Sequence, residues 1–333
     1  MKKRKVTMKD IAAEAGVSVT TVSQILNNTD MRISAATKER VMGLVQKYHY
    51  VPNEFAKGLR NKKSNTIGVI TYDVTEPFVS KMLRGIESVC KPRGIGVLIC
   101  STSLEDASEW DNLFFLNSKM VDGIISLGIL SSDSEKYFSM IKLPVVAVDR
   151  EFYLDIPGVG IVDPNAPTAT YKTTELLINK GCRTISYIGP SPEIPSSARI
   201  EGYFKALKDN GRQINEKLIY QNGDFICDTG INGVASLFCE EHIDGLVCAN
   251  DLIAAGAMLA LSKKGLRVPE DVKVTGIDNI TISQYLNPPL TTVDLHGCEV
   301  GAECANMLIS WLLDKVPLCK KNIECEMVIR ESV

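Results

Sequence analysis

Two kinds of polar residue in this chain stand where chemistry could take place. The first is a run of short hydrogen-bonding side chains, Thr20, Thr21, Ser23 and Gln24, within "SVTTVSQILNN" (18–28), whose apolar residues recur at helical spacing. A surface helix ordinarily turns Lys and Glu outward. Short hydroxyls and an amide instead suit the base edges of a DNA major groove, where donors and acceptors are read at close range and carboxylates would be repelled by phosphate. The second kind closes apolar runs: Asp149 and Arg150 end "VVAVDR", Asn250 and Asp251 end "VCAND", and Asp278 and Asn279 end "VTGIDN". If those runs are parallel strands, such residues line one cleft, because ligands of open α/β sheets sit beyond the carboxyl ends of strands. Asp and Asn also cap helices well. Asp251 is assigned to a cap; Asp149, Asn250 and Asp278 are assigned to a ligand.

Enzymatic constellations find little support. "GIGV" and "GVGIV" pair glycines without the third glycine and the strand–helix context of a dinucleotide site, and no Walker loop occurs. No G-x-S-x-G is present, and the three histidines lie in unrelated contexts. Cys239 with His242, and His296 with Cys298, are the pairs with metal-like spacing, and neither has a second pair at finger spacing. The expectation is no enzyme, no cofactor and no metal. Ten scattered cysteines, several in apolar runs, and a basic start without an apolar leader indicate reduced thiols in a cytoplasmic protein.

The hydroxyl-rich run needs a scaffold. Thr7-Met8-Lys9-Asp10 has the T-x-x-D form of a capping box opening a helix with Ile11, Ala12 and Ala15 inside, and Gly16 ends it. Ser18 then caps a second helix, 19–27, and Ser34 a third whose stripe is Val41, Leu44, Val45 and Tyr48. Two short helices joined at a Gly-containing turn form a helix-turn-helix pattern. Residues 1–63 carry 13 basic against 5 acidic side chains, and the remainder 24 against 35. A basic head on an acidic body points to a polyanion for the head alone, with Lys9, Lys38 and "KKRK" available to phosphates. A small helical oligomerisation module is the competing reading. Beyond the head, Pro52 stops any continuous helix and Asn53 can cap a short one over 54–59, followed by the basic linker "RNKKSNT".

From residue 66 apolar strands alternate with amphipathic helices. Strands are expected at 66–71, 96–101, 123–127, 144–149, 184–189, 245–250 and 272–278. Helices are expected near 79–93, 105–118, 133–140, 166–180, 197–210 and 251–264. Such alternation is the signature of parallel sheets covered on both faces, and two runs of it give two lobes.

"VTMKDIAAEAGVSVTTVSQILNN" followed by "YVPNEFAKGL" resembles the lactose-repressor (LacI/GalR) family of bacterial transcription regulators. The resemblance implies a recognition helix at 19–27 with Val19, Thr20 and Gln24 aimed at bases, and Leu59 as an apolar wedge in the minor groove. The wider DNA-facing set is Thr7, Met8, Lys9, Ser18, Thr21 and Ser23, with Asn27, Ser34, Thr37, Tyr50, Asn53 and Lys57. Many members carry Arg where this chain has Gln24; Arg favours guanine and Gln adenine, so the half-site is this chain's own. In the body, "SSARIEGY" resembles the family's ligand-facing Arg motif and implies Arg199 in the cleft. "NGDF" puts Phe225 where relatives stack an aromatic on the effector, and "YDVTEPF" supplies Tyr72, Pro77 and Phe78 at the cleft and dimer side.

The expected architecture is α/β: a small all-α helix-turn-helix head (1–51), a hinge helix and linker (52–65), and a two-lobed, doubly wound, periplasmic-binding-protein-like body (66–333). Crossovers near 162–165, 290–293 and 320–323 make each lobe discontinuous. The first lobe takes about 66–162 and 293–320, the second about 163–292 and 321–333. The expected function is a dimeric repressor on a near-palindromic DNA operator, controlled by a sugar or sugar derivative between the lobes, without a membrane partner. A transport-associated sugar-binding receptor is the rival, opposed by the basic head. A nucleobase or nucleoside is the alternative effector.

Overall fold

The computed structural model describes residues 6–26, 32–50, 63–101, 109–127, 140–148, 158–192, 194, 198–239 and 242–333. The chain divides into two compact units, Met1–Ser64 and Asn65–Val333.

Among its described residues the first unit has three helices around a small core. α1 (Met8–Ala15) opens with a reciprocal box: the Asp10 amide donates to Thr7 Oγ1 at 3.4 Å, and the Thr7 amide donates to the Asp10 carboxylate at 2.8 Å. These bonds satisfy two amides that a helix start leaves without an intrahelical partner. Gly16 takes φ 63°, the left-handed conformation that closes α1 and redirects the chain into α2 (Val19–Leu26). Ser18 accepts from the Thr21 amide at 3.0 Å, and Ser34 caps α3 (Ala35–Lys47) through the Thr37 amide at 3.3 Å. Ile11, Ala12, Ala15, Val22, Ile25 and Val41 form the core. A core this small gains from ties at its rim: Lys47 and Tyr48 both donate to the Glu14 carboxylate, at 2.8 and 2.7 Å. Asn27, Asn53, Lys57 and Leu59 lie outside the described residues.

The second unit holds two parallel sheets. The first has the order β11-β5-β4-β3-β1-β2, from β1 (Thr66–Thr71), β2 (Gly96–Ser101), β3 (Gly123–Leu127), β4 (Val145–Val148), β5 (Val159–Asp163) and β11 (Lys320–Asn322). The second has the order β7-β6-β8-β9, from β6 (Ile185–Gly189), β7 (Ile219–Gln221), β8 (Gly245–Cys248) and β9 (Lys273–Thr275). Between them β10 (Thr292–Asp294) pairs antiparallel with β12 (Glu326–Val328). Strands β3, β4, β6 and β8 are buried along their whole length, as central parallel strands covered on both faces must be.

On the first sheet α4 (Pro77–Cys90) packs against α10 (Gly297–Asp314), with α5 (Glu109–Ser118) buried through Leu113 and Leu116. The α4–α10 crossing is backbone against backbone: a Cβ on Gly85 would run into the Cys298 carbonyl, and one on Gly301 into the Met82 carbonyl. On the second sheet α6 (Ala166–Asn179) packs with α7 (Arg199–Asp209), and α8 (Cys227–Leu237) with α9 (Asp251–Lys263).

Several elements differ from the sequence expectation. The last four residues of "GVGIV" open strand β5, buried from Val159 to Val162, and β7, α8 and α10 are further elements that the apolar pattern left unassigned. The expected strand 272–278 stops at Thr275, and the chain turns through positive φ at Asp278 (99°) and Asn279 (44°). Near the C-terminus Glu326–Val328 is strand; Ser332 then ties back to the second sheet, donating from Oγ to the Val274 carbonyl at 2.6 Å.

Candidate functional site

In the head, the outward side of α2 begins with Val19, 40% exposed, and an exposed Thr20. Ser23 and Gln24 follow half-buried, one helical turn on. A surface of one methyl-bearing side chain, a hydroxyl and an amide can read a thymine methyl and base-edge donors and acceptors. Thr7 and Lys9 at the start of α1, Ser18 before α2 and Ser34 before α3 are exposed. The caps made by Thr7, Ser18 and Ser34 occupy helix starts, where backbone amides and the helix dipole attract phosphate oxygens. Thr21 and Thr37 are half-buried, each sharing a hydroxyl contact with its capping Ser at 2.9 and 2.8 Å. Met8 and Tyr50 pack half-buried against the head core.

In the body, the carboxyl ends of the strands meet residues from both sheets. Arg199, the first residue of α7, is 6% exposed. Its Nη1 donates to the Ala249 carbonyl at 2.5 Å, its Nη2 to Asp278 Oδ1 at 3.1 Å, and its guanidinium lies 5.1 Å from the centre of the Phe225 ring. Phe225 is itself 7% exposed, and its carbonyl accepts from Asn250 Nδ2 at 3.2 Å. Arg199, Phe225, Asn250 and Asp278 therefore form one buried cluster. The turn at Asp278 makes this possible: with φ 99° the carboxylate swings toward Arg199 while its amide still donates to the Val293 carbonyl at 2.8 Å.

The helix cap expected at Asp251 falls to Asn250 instead. Asn250 is the N-cap of α9, its Oδ1 accepting from the Ile253 amide at 2.9 Å. Asp251 is fully buried and accepts from the Ile280 amide (2.8 Å), Ser283 Oγ (2.5 Å) and Thr292 Oγ1 (2.5 Å). It thus binds α9 to the 280–283 turn and to β10. Burial pushes the Asp251 carboxyl up to about 7, with Asp278 adding to the rise and those three donors opposing it.

From the first sheet, Tyr72 follows β1, and Glu76 caps α4 by accepting from the Val79 amide at 2.7 Å. Both lie within electrostatic reach of Asp278 and Arg199. Burial raises the Tyr72 phenol well above its usual range, with Glu76 and Asp278 adding to the rise. Burial, then the Asp278 charge, pushes Glu76 up to about 7 against the amides of Val79 and Phe78 and the Arg199 cation. The Asp278 carboxyl is likewise raised by burial and held down by Arg199. Phe78 is 7% exposed and packs at the start of α10 beside Gly297. Asp149 lies outside the described residues.

Two residues of this arrangement escaped the sequence reading. Glu76 carried a signal, since an acidic residue directly before Pro marks a helix start. Lys81 carried none: its Nζ donates to the carbonyls of Asp278 (3.0 Å) and Asn279 (2.7 Å), nearly 200 residues away.

Among the described residues no helix is long and apolar enough to cross a membrane. Residues 7–53 match the family model of bacterial regulatory proteins, lacI family, and residues 174–333 match a periplasmic binding protein-like domain. The chain is 36% identical over 317 residues to the HTH-type transcriptional regulator RegA of Clostridium acetobutylicum, covering 94% of each chain. Among solved structures it is similar to the lac repressor dimer bound to operator and the anti-inducer ONPF (TM-score 0.88, 26% identity, 99% of each chain). It is also similar to a complex of the transcriptional regulator CelR with cellobiose (TM-score 0.75, 27% identity, 98% of this chain and 100% of that one). With a helix-turn-helix head, two parallel-sheet lobes and relatives matched along nearly their whole length, the chain belongs to the lacI family of bacterial regulatory proteins and is a DNA-binding transcriptional regulator, not an enzyme.

Proposed function

We propose that this regulator is a homodimeric repressor of a near-palindromic operator, and that a sugar or sugar derivative bound between the two lobes sets its operator affinity. The Arg199–Asp278–Phe225 cluster carries the reading. A fixed fork of donors, a carboxylate acceptor and a flat aromatic beside them match a polyol, whose hydroxyls both donate and accept and whose C–H face is apolar. The cellobiose complex of the similar CelR supports a sugar. Support for a dimer comes from an outward groove between α4 and β2, lined by Ser80, Leu83, Arg84 and Glu87 with Val97 and Ile99, the last 44% exposed. β2 is the edge of its sheet, and an apolar edge needs cover. Two heads on a two-fold axis would place two copies of α2 in successive major grooves.

A ligand shifts operator affinity only as far as it discriminates between two arrangements of the lobes. The test is isothermal titration with ribose and cellobiose, followed by gel shift of operator DNA with and without the sugar that binds. A sugar that binds wild-type protein, is lost in Arg199→Ala and changes the gel shift supports the reading. Undiminished binding to Arg199→Ala would place the sugar elsewhere.

A further inference from the structure

Asn279 stands where the Asp278 turn meets the chain's passages between the lobes, and each of its polar atoms is engaged. Its amide donates to Thr292 Oγ1 at 3.3 Å, and its carbonyl accepts from Lys81 Nζ at 2.7 Å. Its Oδ1 accepts from Arg330 Nη2 at 2.7 Å, and its Nδ2 donates to Asp294 Oδ2 at 2.9 Å. These partners belong to two separate crossings. Thr292 and Asp294 lie on β10, which leads from the second lobe into α10 of the first. Arg330 follows β12, on the return from β11 of the first sheet toward the second. The crossings are also tied to each other. β10 pairs with β12, Arg330 Nη1 donates to the Leu290 carbonyl at 2.7 Å, and the Arg330 amide donates to Thr291 Oγ1 at 2.9 Å.

The residue type fits this place. Asn279 takes φ 44°, and Asn enters the left-handed region more readily than most side chains. Its planar end carries an acceptor beside a donor, so it holds a cation and an anion at once, which neither Asp nor Lys could do. Arg only donates and an ionised carboxylate only accepts, which fixes the way the amide faces. The adjoining Asp278 carries the carboxylate that pairs with Arg199. Both residues are held at positive φ, so a displacement of that carboxylate is passed to Asn279 and from there to the crossings.

We infer that Asn279 is the positioning residue that couples the Asp278 turn to the lobe crossings, its side chain setting how far an event at the cleft alters operator affinity. The inference rests on the cleft being the effector site. Contiguity does not measure coupling, and a double-mutant cycle in the full-length protein does. Asp278→Asn tolerates positive φ and keeps an acceptor for Arg199 but removes the charge, so it perturbs the turn without a ligand. Asn279→Gly keeps the left-handed backbone and removes the side chain. Operator affinity is read by gel shift on DNA selected from a random pool. Asp278→Asn changes it at least about fivefold in the wild-type background, and less than about twofold in the Asn279→Gly background.

Asn279→Asp sets two carboxylates against each other and loses the coupling. Adding Asp294→Asn restores the pair with donor and acceptor exchanged, keeps an oxygen for the His296 amide, and recovers the response to Asp278→Asn. This pair of variants decides the matter should Asn279→Gly fail to fold. A side chain that only braces the fold would lower stability to urea in Asn279→Gly and leave the response intact, which overturns the inference. Asp278→Asn without effect in the wild-type background overturns it as well. Titration with ribose and cellobiose separates this outcome from that of the cleft reading. A sugar that binds wild type and Asn279→Gly alike, and alters the operator affinity of wild type alone, supports both. A sugar lost in Asn279→Gly, with the response to Asp278→Asn intact, overturns the coupling and leaves the cleft reading standing. Silence from both sugars counts against the cleft reading, while the cycle still decides the coupling.

Discussion

The Lys81 ammonium, carried on α4 of the first lobe, donates to the Asn279 carbonyl of the second at 2.7 Å and to the adjoining Asp278 carbonyl at 3.0 Å. The turn it grips carries the carboxylate that pairs with Arg199, and it is steadied elsewhere by Asn279 Nδ2 donating to Asp294 at 2.9 Å. α4 also lines the groove proposed as a dimer face. One charged side chain therefore links the Asp278–Asn279 turn to α4.

Lys81→Met keeps the apolar stem packed near Gly297 and removes the ammonium. Hydrogen bonds to charged groups contribute about 1.5–3 kcal/mol each, and solvent at this half-buried site reduces that. A stability loss of about 1–2 kcal/mol is expected by urea unfolding, with weakened effector binding by calorimetry. A variant with wild-type stability and affinity would show that the bridge is incidental.

Arg199 and Asp278 are a buried ion pair, and removing one partner strands the other charge. Arg199→Ala is expected to cost about 3–5 kcal/mol of stability and to abolish the effector response, while operator binding without effector persists. Denaturant melts with a gel-shift assay read both. Loss of operator binding in a folded Arg199→Ala protein would contradict a role confined to the cleft.

Glu76, like Asp251, makes the stability depend on pH. Its carboxyl titrates near 7 when folded, against a usual value of 4.5. Between those values the folded protein holds a proton that the unfolded chain has released, so stability falls as pH rises through that window. At about 1.4 kcal/mol per unit the loss reaches at most about 3.5 kcal/mol. Glu76→Gln lacks this titration, so its melting temperature should gain on the wild type between pH 5 and pH 7.5. Parallel melting curves across that range would mean the carboxyl stays ionised in the fold.

Gln24 is expected to read a base from α2. Replacement by Arg should shift one position of each half-site toward guanine, because Arg matches guanine's O6 and N7 as Gln matches adenine. Selection of binding sites from random DNA before and after the change would reveal the shift. An unaltered half-site would turn Gln24 toward phosphate or solvent.

The elements that were legible in the sequence are those whose cause is local. The Thr7–Asp10 box, the Gly16 turn and the Ser18 and Ser34 caps involve residues three or four apart, and the backbone they specify is the one observed. The central strands were equally plain, because a strand covered on both faces must be apolar throughout. Short β7, three half-buried residues, carries too little pattern to be seen that way.

The site required the tertiary structure. The neighbours Asn250 and Asp251 are both good caps by type, and the choice between them falls to partners 29 to 41 residues further on: Ile280, Ser283 and Thr292 converge on Asp251 and leave the helix start to Asn250. Asp278 reaches Arg199 because the chain abandons the strand after Thr275 and turns through positive φ, a conformation that apolar alternation does not encode. Lys81 reaches the Asp278–Asn279 turn from a helix whose own sequence shows only a cap, Glu76, and a basic residue. Periodicity and capping act over a few residues, so the sequence by itself determined the helix-turn-helix and the alternating strands, and its resemblance to a family gave the class of protein. Pairing of buried charges depends on which distant segments the packed lobes bring together, and that only the fold decided.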